Sequence, residues 1–171
     1  MKDNIHFLTA LVNNCSGVLT RISGLFARRG YNIESLTVCG TENKDVSRMT
    51  IVVSGDEKII EQIIRQLEKQ IEVIKVEEVT TEESVIRELL LVKISVESAQ
   101  RTEVMSVCNI FKAHIVDIDH ESLVLELTGK PQKIDAFLSV ISNAYNVIEL
   151  ARSGASALMR GDKGIYEDKT C

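Results

Sequence analysis

Near its start the chain carries a short polar stretch between two apolar ones: Asn13-Asn14-Cys15-Ser16-Gly17-Val18-Leu19-Thr20-Arg21. Residues 5–12 before it have the β-branched and apolar side chains of a strand. Residues 18–29 after it have the spacing of an amphipathic helix, with the apolar face Val18, Leu19, Ile22, Leu25 and Phe26. A turn that leads straight into a helix presents unpaired backbone N–H groups of partial positive charge. The stretch is therefore a candidate seat for a small anion, such as an amino-acid carboxylate.

The pattern then continues as a repeat. Ser16 is the predicted N-cap of the first helix, and Gly30 is its predicted stop. A second helix is predicted after the cap Asp56, and further strands at 31–39, 48–53 and 73–79. The same order recurs downstream, with strands at 88–96, 113–119, 122–127 and 146–151, a helix at 103–111 and a helix that Pro131 opens.

Two successive β-α-β-β-α-β units predict an α+β fold of two ferredoxin-like sandwiches. The predicted limits are a first domain at 4–80, a linker at 81–86, a second domain at 87–159 and a flexible tail at 160–171. Some apolar side chains of the first sheet are expected on the face away from the helices: Tyr31, Ile33, Met49, Ile51 and Val53. An uncovered apolar sheet face favours pairing with a second copy.

Composition narrows the classes of function. The chain has 171 residues, 44% of them hydrophobic, and a net charge of −5, which disfavours nucleic-acid binding. It has no apolar run of about 18 residues and no signal-peptide pattern at its start, so we expect no membrane association and a cytoplasmic or plastid-stromal location. Four cysteines and three histidines are scattered along the chain, which predicts reduced thiols, no metal site and no catalytic residues.

Longer motifs carry a resemblance to a known family. Asn14-x-Ser16-Gly17-Val18-Leu19-x-Arg21, followed by the run from Gly24 through Gly30-Tyr31-Asn32-Ile33-Glu34-Ser35-Leu36, resembles an ACT domain. More narrowly, it is similar to the small, regulatory subunit of acetolactate (acetohydroxyacid) synthase. Four further segments extend the resemblance to about residues 4–162: 47–50, 55–57, 87–94 and 149–154.

The resemblance implies a function. In this family a separate, larger catalytic subunit uses thiamine diphosphate, magnesium and FAD to condense pyruvate with a second 2-oxo acid, on the way to branched-chain amino acids. The small subunit binds none of these cofactors and is not itself an enzyme. It activates the catalytic subunit and mediates feedback inhibition, usually by valine. Two ACT domains pair into a homodimer, or part of a larger assembly, with the amino-acid effector at their interface.

The resemblance also implies roles for residues of the turn. Asn14 is expected to hydrogen-bond the polar head of the effector, beside Ser16. The backbone N–H groups of Gly17, Val18 and Leu19 are expected to face its carboxylate, because a glycine lets the backbone approach closely.

Other residues receive secondary roles. Asn32 and Ile33 are expected to reach the effector from the paired chain, and Thr20 to lie at the rim of the site. Cys15 is interpreted as a bystander. The first helix also has a basic edge that consists of Arg21, Arg28 and Arg29. The sequence leaves open whether this edge is a solvated face or a docking surface for the catalytic subunit.

Three other functions remain as alternatives. An enzyme on a ferredoxin-like scaffold would need converging catalytic groups, which the scattered histidines do not favour. An RNA-binding sheet would need paired aromatic residues. A free-standing ACT sensor would share the effector site and differ in its partner. The sequence leaves open whether valine, leucine or isoleucine is the preferred effector.

Overall fold

The structure is a computed structural model that describes residues 5–162, 164 and 165. The rest of the predicted tail, Lys163 and residues 166–171, lies outside the described residues. The chain divides into two compact units. Unit 1 contains the residues up to Val85 and those from Ala155 onward, and unit 2 contains Ile86–Gly154. The domain limits 4–80 and 87–159 stay predictions.

Unit 1 has the predicted β-α-β-β-α-β order, so the predicted fold class is confirmed. Its elements are β1 (Ile5–Asn13), α1 (Val18–Arg29), β2 (Ile33–Gly40), β3 (Val46–Ser54), α2 (Glu57–Leu67) and β4 (Val73–Val79). The strands form one sheet in the order β2-β3-β1-β4, and each neighbouring pair is antiparallel. In this order β1 lies between β3 and β4, so the end of β1 is held firmly where α1 begins.

The ends of the two helices of unit 1 are capped in different ways. The Asp56 carboxylate accepts a hydrogen bond from the Ile59 N–H at 2.9 Å and caps α2 as predicted. Gly30 adopts a left-handed backbone, with φ 70°, and ends α1 as predicted. The predicted cap Ser16 is wrong, because Gly17 occupies the N-cap position with φ 88° and no side chain caps α1. Only glycine adopts this conformation without strain.

Both helices of unit 1 cover the same face of the sheet. The expectation that Met49, Ile51 and Val53 lie on the uncovered face is wrong: they are buried in one core with Ile22 and Phe26 of α1. The register explains this, because β3 pairs directly with β1 and the side chains of paired residues in the two strands point to the same face of the sheet. Tyr31 and Ile33 also pack against this core, partly buried. Leu19, expected on the inner face of α1, is 50% exposed.

Part of the opposite face of the sheet is covered by residues from the end of the chain. Leu11 and Val46 form a buried cluster with Ile165. The Arg48 Nη1 group donates a hydrogen bond to the Ala157 carbonyl at 3.2 Å. Ala157 lies in a short strand, β9 (Ser156–Met159), that the periodicity of the sequence did not predict. A four-residue strand is too short to show an alternating pattern.

Unit 2 repeats the order of unit 1. Its elements are β5 (Ser84–Ser95, which begins in unit 1), α3 (Arg101–Phe111, after a 3-10 turn at Ser98–Gln100), β6 (His114–Ile118), β7 (Ser122–Gly129), α4 (Pro131–Ala144) and β8 (Asn146–Arg152). The strands follow the order β6-β7-β5-β8. The core packs β5 and β7 against the two helices, and the Phe111 and Phe137 rings meet edge to face at 5.3 Å. β5 begins four residues before the predicted strand, within the predicted linker.

Candidate binding site

A cavity of about 140 Å³ lies in unit 1 at the turn between β1 and α1. The end of β1, the turn, the first residues of α1 and the facing strands β2 and β3 enclose it. Its lining residues are Val12, Asn13, Asn14, Cys15, Val18, Leu19, Val38, Ser47 and Met49. The structure thus places a cavity at the turn that the sequence singled out.

The inner end of the cavity is apolar. Val12, Val18 and Met49 line it and are each at most 5% exposed. Two larger apolar side chains, Leu19 and Val38, line it too but are 50% and 43% exposed, so they stand towards solvent. Such a lining favours a small aliphatic group, because the removal of apolar surface from water on binding stabilises the complex.

The other end of the cavity is polar, and Asn14 organises it. Its main-chain N–H donates a hydrogen bond to the Asp45 carbonyl at 2.7 Å. Its side-chain amide donates another to the Lys44 carbonyl at 2.9 Å. The amide nitrogen is therefore held by the β2–β3 loop, and the Oδ1 atom remains an acceptor for a bound molecule.

Gly17 turns the chain into α1. The first intrahelical hydrogen bond runs from the Arg21 N–H to the Gly17 carbonyl at 3.0 Å. The N–H groups before Arg21 belong to the first turn of the helix, where no intrahelical acceptor exists for them. The Val18 N–H, expected to face the effector's carboxylate, instead donates a long hydrogen bond to the Cys15 carbonyl at 3.5 Å. Val18 and Leu19 in this turn line the cavity, so its polar end carries the partial positive charge of a helix N-terminus.

A charged pair lies beside the turn. The Arg21 Nε group is 2.7 Å from the Glu72 carboxylate, and the arginine side chain is 50% exposed. A Cβ atom built on Gly17 would lie 3.7 Å from the Arg21 guanidinium, which shows how closely that group approaches the turn. The guanidinium adds positive charge to the helix terminus, and Glu72 offsets part of it.

The predicted effector-binding residues fall into three groups: residues that line the cavity, residues next to them in the chain, and residues at the start of β2. Asn14, Val18 and Leu19 line the cavity. Ser16, Gly17 and Thr20 adjoin these residues in the chain but do not line it.

Asn32 and Ile33 lie apart from the cavity, at the start of β2. The Asn32 amide donates to the Glu34 carboxylate at 2.7 Å, and Ile33 packs against the core of its own unit. Their contact with an effector from a paired chain stays a prediction.

Several lining residues were missed from the sequence. Val38, Ser47 and Met49 come from β2 and β3, and they reach the cavity because Met49 pairs with Val38 on one side and with Ala10 on the other. Strand register of this kind has no local signal in the sequence. Val12 and Asn13 precede the turn directly, and their proximity to it was the available signal. Cys15, interpreted as a bystander, is also in the lining.

The remaining basic residues of α1 are at the surface. Arg28 is exposed, and the Arg29 Nη2 group donates to the Gln66 Oε1 atom of α2 at 3.3 Å. Among the described residues, no group of three or more His, Cys, Asp or Glu side chains is arranged to hold a metal ion. Within residues 5–162, 164 and 165, no helix has the length and apolar character needed to cross a membrane.

The chain is similar to known proteins over nearly all of its length. The family described as the small subunit of acetolactate synthase matches residues 87–161, and the AHAS small subunit-like ACT domain matches residues 8–75. A probable acetolactate synthase small subunit of Archaeoglobus fulgidus is 51% identical over 92% of this chain and 98% of its own. An acetolactate synthase small subunit of Mycolicibacterium smegmatis is 47% identical over 94% of both chains.

A solved structure agrees with these relatives. The acetolactate synthase small subunit from Thermotoga maritima superposes with a TM-score of 0.85 at 37% identity, over 94% of this chain and 99% of that one. The fold and the cavity at the first helix define an ACT-domain protein with a second ferredoxin-like unit. The chain belongs to the family of the small, regulatory subunits of acetolactate synthase.

Proposed function

We propose that the chain binds a branched-chain amino acid, valine first among them, in the cavity of unit 1, and that this binding inhibits acetolactate synthase. The observation that carries the proposal is the pairing of two kinds of surface in one small cavity. A helix N-terminus offers N–H groups to a carboxylate, and Val12, Val18 and Met49 offer an apolar wall to an aliphatic side chain. A free branched-chain amino acid carries both kinds of group.

A second copy of the chain completes the site in this proposal. The cavity, at about 140 Å³, is smaller than typical ligand pockets of roughly 300–1,000 Å³. Its outer residues Leu19 and Val38 remain about half exposed. A paired ACT domain that supplies Asn32 and Ile33 would cover them and enclose the effector.

The proposed partner is the catalytic subunit of acetolactate synthase, which uses thiamine diphosphate, magnesium and FAD. Membership of the small-subunit family supports this partner, and the archaeal and bacterial relatives support a cytoplasmic location. The small subunit raises the activity of the catalytic subunit, and the bound amino acid reverses that gain.

Reconstitution tests the proposal. The purified chain is added to the catalytic subunit, and acetolactate formation is measured with and without valine. We expect the chain to raise the rate and valine to lower it in a saturable manner. A rate that the chain leaves unchanged would contradict the activating role, and a raised rate that valine leaves unchanged would contradict the effector role.

The docking surface is tested in the same assay. Arg28→Glu with Arg29→Glu reverses the exposed charge at the end of α1. Arg65→Glu is the matched control, because Arg65 is a helix residue on α2 that is 71% exposed and pairs only with the neighbouring Glu61 at 3.4 Å among the described residues. Loss of activation in the α1 variant alone would support docking there. Activation by both variants that equals the activation by the wild-type chain would assign the α1 arginines to a solvated face.

A further inference from the structure

Ser47 of β3 is a buried polar residue in the lining of the cavity. It is 7% exposed, although its neighbours in the inner end of the cavity are apolar. Among the described residues no hydrogen bond of its hydroxyl is found, and its oxygen is not one of the fully enclosed polar atoms, so it is accessible from the cavity that it lines. Polar groups in the walls of protein cavities nearly always have a partner, either protein, water or ligand. A ligand in the cavity would supply that partner.

The position of Ser47 lies between the two ends of the cavity. Ser47 pairs with Val12 across the sheet, and the next pair, Val46 with Asn13, reaches the turn. Met49 lies two residues further along β3 and therefore on the same face, towards the apolar end. A ligand with its polar head at the turn and its side chain against Met49 has its α-carbon substituents near Ser47.

The charges around the cavity determine which substituent of the amino acid's α-carbon lies next to Ser47. The N–H groups of the first turn of α1 and the nearby Arg21 guanidinium attract the carboxylate and repel a cation. The ammonium group of an amino acid needs acceptors instead. Ser47 Oγ is an available acceptor at the cavity wall, and Asn14 Oδ1 is another, since its amide nitrogen is taken by the Lys44 carbonyl.

We propose that Ser47 is a further effector-binding residue, whose hydroxyl oxygen accepts a hydrogen bond from the ammonium group of an aliphatic α-amino acid. The inference rests on the proposed function of the same cavity. It assigns β3 a part in recognising the polar head, beyond the turn and the first helix.

Calorimetric titration of the full chain tests the inference with two ligands. Valine carries the ammonium group, and 3-methylbutanoate is the same molecule without it. For Ser47→Ala we expect about tenfold weaker binding of valine, the equivalent of roughly 1.4 kcal/mol, and no change for 3-methylbutanoate. Equal weakening of both ligands would overturn the ammonium assignment. Unchanged valine affinity would remove Ser47 from the site.

Thr50→Val is the matched control. Thr50 is a buried hydroxyl residue on the same strand, 3% exposed, but it points to the opposite face of the sheet. We expect it to leave valine affinity unchanged, and a loss equal to that of Ser47→Ala would assign the effect to the strand as a whole. If Ser47→Ala fails to fold in a thermal melt, Ser47→Cys replaces it, because a thiol is only a weak acceptor. A wild-type chain that binds no amino acid, alone or with the catalytic subunit, would instead contradict the proposed function.

Discussion

The side-chain amide of Asn14 donates a hydrogen bond to the main-chain carbonyl of Lys44 at 2.9 Å, and so ties the turn beside the cavity to the β2–β3 loop. The Asn14 main-chain N–H reinforces the link through the Asp45 carbonyl at 2.7 Å. The loop is itself ordered, because Asn43 Oδ1 accepts from the Asp45 N–H at 3.0 Å. One residue thus both lines the cavity and holds the neighbouring loop.

Replacing Asn14 tests both roles. We expect Asn14→Ala to weaken valine binding by about 1–3 kcal/mol, because a polar group facing the ligand is lost and the Lys44 carbonyl loses its donor. Calorimetry measures the affinity, and hydrogen exchange of residues 41–45 measures the loop. Asn43→Ala is the control that loosens the same loop without touching the cavity lining. An equal loss of affinity in both variants would mean that Asn14 acts only through the loop.

The size of the side chain at Met49 is expected to set which amino acid binds. Met49 is 1% exposed and lines the apolar end of the cavity. Met49→Ala enlarges that end, so we expect the ratio of leucine to valine affinity to rise, at a cost of about 2–5 kcal/mol in the free energy of unfolding. Ile51→Ala, a buried change two residues along the same strand, should cost similar stability with the ratio unchanged. An unaltered ratio in the Met49 variant would exclude that residue from the effector's side-chain contact.

Unit 2 contains an ion-pair network that we expect to stabilise it. Arg152 of β8 pairs with Glu88 of β5, through a 3.1 Å bond from its Nε atom among others, and with Asp135 of α4 at 2.8 Å. Glu88 is only 6% exposed. Glu88→Gln should lower the free energy of unfolding by about 1–3 kcal/mol, because a partly buried guanidinium loses a charged partner.

A surface pair gives the comparison for that network. Glu61 and Arg65 are one helical turn apart on α2, 3.4 Å from each other, and both are about two-thirds exposed or more. Glu61→Gln should therefore change the free energy of unfolding by less than about 0.5 kcal/mol. Denaturant unfolding measures both variants. Equal effects would show that burial does not strengthen the Glu88 pair.

Alkaline pH should destabilise unit 2 through Tyr145. Burial raises the pKa of the Tyr145 phenol, and the negative charge of Glu103 raises it further. The unfolded chain loses this proton near pH 10, and the folded chain holds it longer, so the contribution to stability is present below about pH 10 and is lost as pH rises through the folded pKa. Tyr145→Phe should flatten the fall in stability above pH 10. The same steep fall in the variant would contradict a role for Tyr145.

Local patterns predicted much of this fold because they act within a few residues. The bounds of α1, the Asp56 cap and the Gly30 stop all follow from side chains near each helix end. The N-cap residue of α1 did not follow, because Ser16 has the chemistry of a cap but the backbone turns at Gly17. A residue's preference for a position does not fix the dihedral angles that the chain adopts there.

Pairing between strands limited the rest of the prediction. The cavity was expected at the turn, and the turn residues Asn14, Val18 and Leu19 do line it. Ser47 and Met49 line it only because β3 meets β1 in one register, and a shift by one residue would point them away. The coverage of the opposite sheet face by Ala157 and Ile165 depends on residues more than a hundred positions from β1.

The central claim is that an amino acid binds at the N-terminus of α1, and calorimetric titration of the chain with valine tests it most directly. We expect saturable binding that Gly17→Asp abolishes, because its carboxylate would lie beside the Arg21 guanidinium at the helix N-terminus and repel the carboxylate of the effector. Gly30→Asp is the matched control, since Gly30 ends the same helix in the same left-handed conformation, with no atom within 4 Å of an added Cβ. Binding retained in Gly30→Asp and lost in Gly17→Asp would confirm the site. Equal affinity of the wild type and Gly17→Asp for valine would contradict it.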